Sequence, residues 1–225
     1  MIIPVIFEDK DILVINKPSG VVVHPFDHST EETVVDFLRE QYLEMFSIEN
    51  EIKLQDGRII GLGGVVHKLD RDTSGVMVIA KTKEIFDTLK SQFVNHKVEK
   101  VYIALVEGSV EENTFTIDAP LGRNKKDYKQ QVNPPNPRGE LKEAVTGVEV
   151  LERREGVTLL RLSPKTGRTH QLRAHMAYIG HPIVGDVAYG SNIDSERIML
   201  HAKAVSFNLH NEKKFFETEV PKEFI

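Results

Sequence analysis

Short apolar runs separated by polar residues recur along the chain, and this pattern predicts strands more often than helices. The runs at 5–7 and 12–15 flank four polar residues, which predicts a hairpin. Two more runs, 145–151 and 157–162, are joined by a charged turn at 152–156 and are expected to pair. Further predicted strands are 76–80, 101–106 and 199–209.

Three segments carry helix signals. Ser29 with Glu32 forms a capping-box pattern that predicts a first helix through about Tyr42. The third helix is predicted over 170–179 and ends at Gly180, because glycine readily adopts the left-handed conformation of a helix C-terminus.

The second helix shows the clearest periodicity. Thr82 is expected to cap it, and Ile85, Leu89 and Phe93 recur at four-residue spacing. Such a stripe is typical of a helix face that packs on a core rather than on a ligand.

Two segments lack regular signals. Residues 44–64 read as irregular and end in the glycine-rich 61–64, which we interpret as a flexible connection. The proline-rich 133–139 is predicted to be a stiff loop, since proline neither continues a helix nor fits a central strand.

The predicted strands follow one another in succession, and only three helices are predicted. This pattern favours an α+β fold, with a largely antiparallel mixed sheet and a few peripheral helices. The chain has 225 residues and 40% hydrophobic content, enough for a single domain over 1–225.

No apolar run is long enough for a membrane helix, so no membrane association is expected. The absence of cysteine excludes disulfides and thiolate metal sites and is compatible with a reducing compartment, so we expect a cytoplasmic protein.

The distribution of charge is uneven. The net charge is −5, yet residues 1–60 hold five basic and twelve acidic side chains, a net of −7, which leaves +2 for the remainder. Basic residues cluster in 121–142 and in 161–175. An acidic N-terminal segment followed by two basic clusters fits a protein that binds a polyanion on one face. Short charge clusters are also common on solvated surface.

The strongest local chemistry lies in residues 67–75, where polar side chains stand between the glycine cluster and an apolar strand. A polar loop at a sheet edge is a common place for a functional site. Its carboxylates, Asp70 and Asp72, could serve as nucleophile, general base, metal ligand, cap or ion-pair partner.

The chain resembles the RluA-type family of RNA pseudouridine synthases in five blocks that follow one another in order. The blocks are 8–25 with Asn16-Lys17-Pro18-Ser19-Gly20, 67–81 with His67-Lys68-Leu69-Asp70-Arg71, 100–108 with Lys100-Val101-Tyr102, 166–190 with Gly167-Arg168-Thr169-His170-Gln171-Leu172-Arg173, and Leu200-His201-Ala202. The resemblance implies conversion of uridine to pseudouridine in structured RNA, either rRNA or tRNA. It also implies a central RNA-binding cleft, a monomer, and no metal or organic cofactor.

The resemblance also implies roles for single residues. Asp70 matches the catalytic aspartate, Tyr102 the tyrosine that stacks on the target uracil, and Arg173 the arginine that pairs with the aspartate. A guanidinium favours the charged carboxylate and orients it through two hydrogen bonds. The expected RNA-binding residues are Lys68, Arg71, Arg123, Lys125, Lys126, Lys129, Arg168 and His170.

Lys68 departs from the family pattern, which usually has arginine at this position. In relatives that arginine can fill the space left by the flipped nucleotide, and an ammonium has no planar group to stack there. Many relatives also carry an N-terminal RNA-binding module; here the first block begins near Met1, so we expect this domain to select its own substrate.

Two alternatives belong to other functional classes. One is a catalytically silent RNA-binding relative, which the presence of Asp70, Tyr102 and Arg173 disfavours. The other is a glycosidase-like hydrolase that uses Asp70 with Asp72. Formation of pseudouridine rather than free uracil would separate the three.

Overall fold

The computed structural model describes residues 1–26, 30–123, 130–132, 137 and 139–225, with only the backbone of 130 and 131. The described chain forms two compact units. The first comprises Met1–Val98 and Ala204–Thr218, and the second comprises Glu99–Lys203 and Glu219–Ile225. A single domain over 1–225 stays a prediction, since two compact units can belong to one domain.

The regular elements are mostly strands. The helices are α1 (Val34–Gln41), α2 (Lys83–Val94) and α3 (Gln171–Tyr178), with 3-10 helices at Leu43–Ser47, Val187–Tyr189 and Lys222–Phe224. The strands are β1 (Val5–Glu8), β2 (Ile12–Lys17), β3 (Glu51–Lys53), β4 (Ile59–Gly61), β5 (Ser74–Ala80), β6 (Glu99–Glu107), β7 (Thr114–Asp118), β8 (Leu121–Arg123), β9 (Gln130–Val132), β10 (Val145–Arg154), β11 (Val157–Pro164), β12 (Leu200–Leu209) and β13 (Glu212–Glu217). The predicted α+β fold is confirmed, while the central cleft stays a prediction.

In the first unit the strand order is β1-β2-β5-β12, and β13 pairs with β12. The pairings of β1 with β2, of β2 with β5, and of β12 with β13 are antiparallel, so the predicted hairpin is confirmed. Helix α2 packs Ile85, Phe86 and Leu89 into a core with Val14 and Val78. Its predicted cap is also confirmed, because Thr82 Oγ1 accepts a hydrogen bond from the Ile85 amide at 3.3 Å.

Helix α1 begins four residues later than the Ser29–Glu32 pattern indicates, so the predicted cap is wrong. Thr33 is the N-cap: its Oγ1 accepts from the Asp36 amide at 3.2 Å, and Asp36 Oδ2 accepts from the Thr33 amide at 2.9 Å. Ser29 itself lies outside the described residues. Both tetrapeptides fit one capping pattern, and the second directly precedes Val34, which the fold buries completely.

The segment 44–64 was predicted to be irregular, and that prediction is wrong for 51–61, where β3 and β4 form an antiparallel hairpin. The interpretation of 61–64 as a flexible connection is wrong as well. A Cβ on Gly64 would stand 1.7 Å from the Ala80 carbonyl oxygen, and the Ala80 amide donates to the Gly64 carbonyl at 2.9 Å. This glycine is therefore required by close backbone packing on β5.

The second unit has the strand order β6-β11-β10-β7, with antiparallel pairing throughout, and a small β8–β9 sheet. Residues 200–203 of β12 belong to this unit, whereas the rest of β12 belongs to the first. The predicted pairing of 145–151 with 157–162 is confirmed. Helix α3 packs Leu172 and Met176 into the core, and Gly180 beyond it has a φ of 83°, as predicted. Of the proline-rich 133–139, most residues lie outside the described part of the chain.

Candidate active site

Asp70 lies in a turn of the first unit, just before β5. The Thr73 amide donates to the Asp70 carbonyl at 3.2 Å, and Asp70 is half-buried while the preceding Leu69 is buried. Lys68 is exposed. The buried leucine anchors the turn, and the polar residues on either side are left at the protein surface.

A fully buried lysine ties this turn to the residues after β2. The Nζ atom of Lys17 donates to the carbonyls of Pro18 at 2.9 Å, Val21 at 2.6 Å and Arg71 at 2.9 Å. Three carbonyl dipoles match the three N–H donors of an ammonium group. A buried charge needs such partners, so Lys17 holds the backbone beside Asp70 in a fixed position.

Two further hydrogen bonds join the same segments. Ser19 Oγ donates to the Asp72 carbonyl at 2.8 Å, and Arg71 Nε donates to the Gly20 carbonyl at 3.2 Å. The Arg71 guanidinium also forms an exposed ion pair with Glu31 at 3.2 Å. Arg71, predicted to bind RNA, is therefore engaged in structural contacts, and its RNA role stays a prediction.

His67, three residues before Asp70, contacts β5 and α2. Its Nε2 accepts a hydrogen bond from the Val78 amide at 3.0 Å, which places the ring proton on Nδ1, and the ring stacks on Phe93 with centroids 4.5 Å apart. His67 thus links the segment just before Asp70 to β5 and α2.

Tyr102 lies on β6 in the second unit, opposite Leu162 of β11. It is half-buried and packs against the core of that unit. A half-buried phenol retains an apolar ring and a polar tip, which suits both the predicted stacking on uracil and an ordinary interface role.

Arg173 on α3 forms a buried ion pair with Asp186. Its Nε and Nη2 donate to the two carboxylate oxygens at 2.7 and 2.8 Å, and its guanidinium carbon lies 4.9 Å from the centroid of the Tyr189 ring. His170 Nδ1 lies 3.1 Å from the Tyr189 hydroxyl. We call Arg173, Asp186, Tyr189 and His170 the arginine clamp.

The clamp uses the Nε–Nη2 edge of the guanidinium, so Nη1 takes no part in the bond to Asp186. The predicted pairing of Arg173 with Asp70 stays a prediction. Asp186 and Tyr189 lie inside the sequence block quoted above, yet sequence reasoning assigned them no role. Nothing local in the sequence marks which carboxylate meets Arg173.

Gln171 holds the loop that precedes α3. Its Oε1 accepts from Thr166 Oγ1 at 2.7 Å and from the Arg168 amide at 3.0 Å. Its Nε2 donates to the Val145 carbonyl and to Thr146 Oγ1, both at 3.0 Å. All four hydrogen-bonding positions of the buried amide are used, so the loop is firmly placed.

This buried network continues through His175. Nε2 donates to the Ala119 carbonyl at 3.0 Å, and Nδ1 accepts from Thr146 at 2.9 Å. Burial lowers the pKa of His175, which favours this neutral form. Lys100 donates to the Thr166 carbonyl at 3.1 Å, and burial lowers the pKa of Lys100 to about 8. Sequence reasoning missed all of these supports.

The remaining predicted RNA-binding residues divide into two groups. Arg123 and Arg168 both line a polar cavity of about 310 Å³ in the second unit. Lys125, Lys126 and Lys129 lie outside the described residues. The contacts of Lys68, Arg123, Arg168 and His170 with RNA stay predictions.

The described residues also bear on metal sites and membrane spans. Over the described residues, no group of three or more histidine or acidic side chains is arranged to hold a metal ion. In the same part of the chain, no helix is long and apolar enough to cross a membrane.

Known proteins resemble this chain over most of its length. The sequence profile of the family described as RNA pseudouridylate synthase matches residues 11–178. The uncharacterized RNA pseudouridine synthase YlyB of Bacillus subtilis is 37% identical over 223 residues, which cover 98% of this chain and 69% of that protein. The ribosomal large subunit pseudouridine synthase D of Borreliella burgdorferi is 37% identical, and the match covers 99% of this chain and 67% of that protein.

A solved structure agrees. The human RNA pseudouridylate synthase domain containing 1 superposes with a TM-score of 0.77 at 27% identity, over 97% of this chain and 83% of that chain. The chain therefore belongs to the RNA pseudouridylate synthase family, whose members are isomerases.

Proposed function

We propose that this isomerase converts uridine to pseudouridine in the RNA of the large ribosomal subunit, with Asp70 as its nucleophile. Membership of the family supports the reaction. The choice of ribosomal RNA rests on the relative from Borreliella burgdorferi, whose name refers to the ribosomal large subunit.

The observation that carries the assignment of Asp70 is the set of hydrogen bonds by which Lys17 fixes the turn. Three hydrogen bonds from a fully buried ammonium, one of them to the carbonyl of Arg71, fix the backbone next to Asp70. A reactive group gains most when the scaffold holds its orientation in advance. The backbone carbonyl of Asp72 accepts a hydrogen bond from Ser19, which holds the other side of the same turn.

The reaction breaks the bond between C1′ of the ribose and N1 of uracil and forms a bond between C1′ and C5. A proton leaves C5 and one is gained at N1, so the atoms balance without oxidant or reductant. The carboxylate of Asp70 supplies an electron pair to the sugar or to the ring. Bound to C1′, it is displaced as C5 forms its bond to C1′; bound to the ring, it leaves by elimination after that bond has formed.

The detached uracil must turn without leaving. Tyr102 is proposed to hold its plane by stacking, which is tolerant of rotation in that plane. Arg173 is proposed to orient the nucleophile, and the arginine clamp fixes the guanidinium in support of that role.

The experiment maps pseudouridine in rRNA and tRNA from cells that lack the gene. The cells are complemented with the wild type, with Asp70→Asn, or with the matched control Asp72→Asn. We expect one or more large-subunit rRNA positions to lose pseudouridine and to regain it with the wild type and the control only. Loss confined to tRNA would contradict the proposed substrate, restoration by Asp70→Asn would contradict the nucleophile, and release of free uracil would indicate a hydrolase.

A further inference from the structure

A polar cavity of about 310 Å³ opens in the second unit. Its walls come from β8, from Glu140 and Lys142, and from the loop before α3. The described residues that line it are Leu121, Gly122, Arg123, Glu140, Lys142, Gly167, Arg168 and Thr169.

The charge of the lining is positive. Among the described lining residues, Arg123, Lys142 and Arg168 contribute three cations and Glu140 one carboxylate, a net of +2. Among the described side chains, no ion pair neutralises any of these three cations. Cations gathered in a concave site focus a positive potential there and attract an anion.

Hydrogen bonds fix the backbone of the cavity walls. The Leu121 amide donates to the Lys142 carbonyl and the Lys142 amide to the Leu121 carbonyl, both at 2.8 Å. Arg168 is fixed separately, because its Nε donates to the Glu143 carbonyl at 2.9 Å and its amide donates to Gln171. The terminal nitrogens of Arg168 take no part in these bonds. The arrangement is thus placed before any ligand arrives, which reduces the entropy lost on binding.

The chemistry of the lining matches a phosphodiester. Guanidinium groups recognise phosphate through paired N–H donors, and lysine acts as a point charge beside them. The cavity also has glycine at 122 and 167, where the lack of a side chain lets a ligand approach the main chain.

We propose that this cavity is a subsite for one backbone phosphate of the substrate RNA, with Lys142, Arg123 and Arg168 as its ligands and Glu140 as a carboxylate that weakens it. The proposal rests on the proposed function, because that function supplies the polyanion. It adds Lys142 and Glu140, which sequence reasoning did not assign, and it states that this site reads the backbone and not a base.

The test measures binding of a short fluorescein-labelled oligouridylate across a range of salt concentrations. The variant is Lys142→Gln, since Arg168→Gln would also break the bond to the Glu143 carbonyl. Lys97→Gln is the control, because Lys97 is exposed, lies outside the cavity and loses the same charge. Glu140→Gln changes the charge in the opposite direction.

Loss of one phosphate contact on a single strand should reduce the salt slope by about 0.7 and weaken binding about fivefold near ~0.1 M salt. We expect this from Lys142→Gln, no change from Lys97→Gln, and tighter binding from Glu140→Gln. A peptide nucleic acid of the same base sequence has no phosphates, so its binding should not distinguish Lys142→Gln from the wild type.

Equal salt slopes for Lys142→Gln and the wild type would overturn the subsite. An equal loss of affinity for the peptide nucleic acid would overturn it too, because the cavity would then read something other than phosphate. The failure of the proposed function has a different signature, namely a wild-type protein that forms no pseudouridine in RNA.

Discussion

The arginine clamp offers a prediction whose size follows from its burial. The side chain of Asp186 is 0% exposed and that of Arg173 is 9% exposed, and two hydrogen bonds of 2.7 and 2.8 Å join them. The change Asp186→Asn nearly preserves volume but removes the carboxylate charge. It also places amide hydrogens where the guanidinium needs an acceptor.

Removal of one partner from a buried ion pair costs about 3–5 kcal/mol, because the other charge is left without compensation in a poorly solvated place. We expect Asp186→Asn to lower the free energy of unfolding of the second unit by about 3 kcal/mol, since the amide oxygen retains one hydrogen bond. Released from Asp186, the guanidinium should also lose its orientation, so the single-turnover rate should fall.

The assay is urea unfolding of the full chain, paired with single-turnover pseudouridine formation. Glu149→Gln is the matched control, since it makes the same chemical change in the exposed Glu149–Arg161 pair, whose atoms are 3.3 Å apart and whose side chains are 46% and 49% exposed. Exposed pairs contribute about 0.2–1 kcal/mol, so the control should change little. If the free energies of unfolding of Asp186→Asn and the control differ by less than about 1 kcal/mol, the arginine clamp does not stabilise the second unit as argued.

Three other predictions concern Lys17 in the first block, Tyr102 on β6, and Lys68, which departs from the family pattern. Lys17→Met should lower the free energy of unfolding of the first unit by about 3 kcal/mol, because three buried carbonyls lose their donor, and it should slow the chemical step. A free energy of unfolding within about 1 kcal/mol of the wild type would contradict the structural role of Lys17. Tyr102→Phe should keep RNA affinity while Tyr102→Leu loses both affinity and turnover, as measured by filter binding and single-turnover rates; wild-type behaviour of the leucine variant would make the tyrosine structural. Lys68→Ala should weaken binding of a stem-loop substrate more than it slows chemistry, and loss of the chemical step at unchanged affinity would place Lys68 in the catalytic machinery.

Features encoded within a few residues were predictable from the sequence. The cap at Thr82 and the apolar stripe of α2 lie within one helix, and the pairing of β10 with β11 follows from two apolar runs and a short turn. The sequence places the first helix too early, because two neighbouring tetrapeptides carry the same capping pattern and only the burial of Val34 distinguishes them.

Features that depend on distant partners were not predictable. Strands β8 and β9 are three residues each, too short for a periodicity to show. Nothing local in the sequence marks Lys17 as buried, and one of the carbonyls that accept from its ammonium lies 54 positions away. Nothing local marks Asp186 either, because its bond to Arg173 depends on how the loop folds back on α3. The roles of Asp70, Tyr102 and Arg173 came from the family resemblance, since their residue types alone allow several functions.

The most direct test of the central claim is tritium release from RNA that carries [5-³H]uridine, prepared from cells without the gene and incubated with excess purified enzyme. Pseudouridine formation must expel the hydrogen at C5, so each turnover releases label. We expect the wild type and Asp72→Asn to release tritium and Asp70→Asn to release none while it still unfolds like the wild type. Tritium release by a clean preparation of Asp70→Asn would show that Asp70 is not the nucleophile.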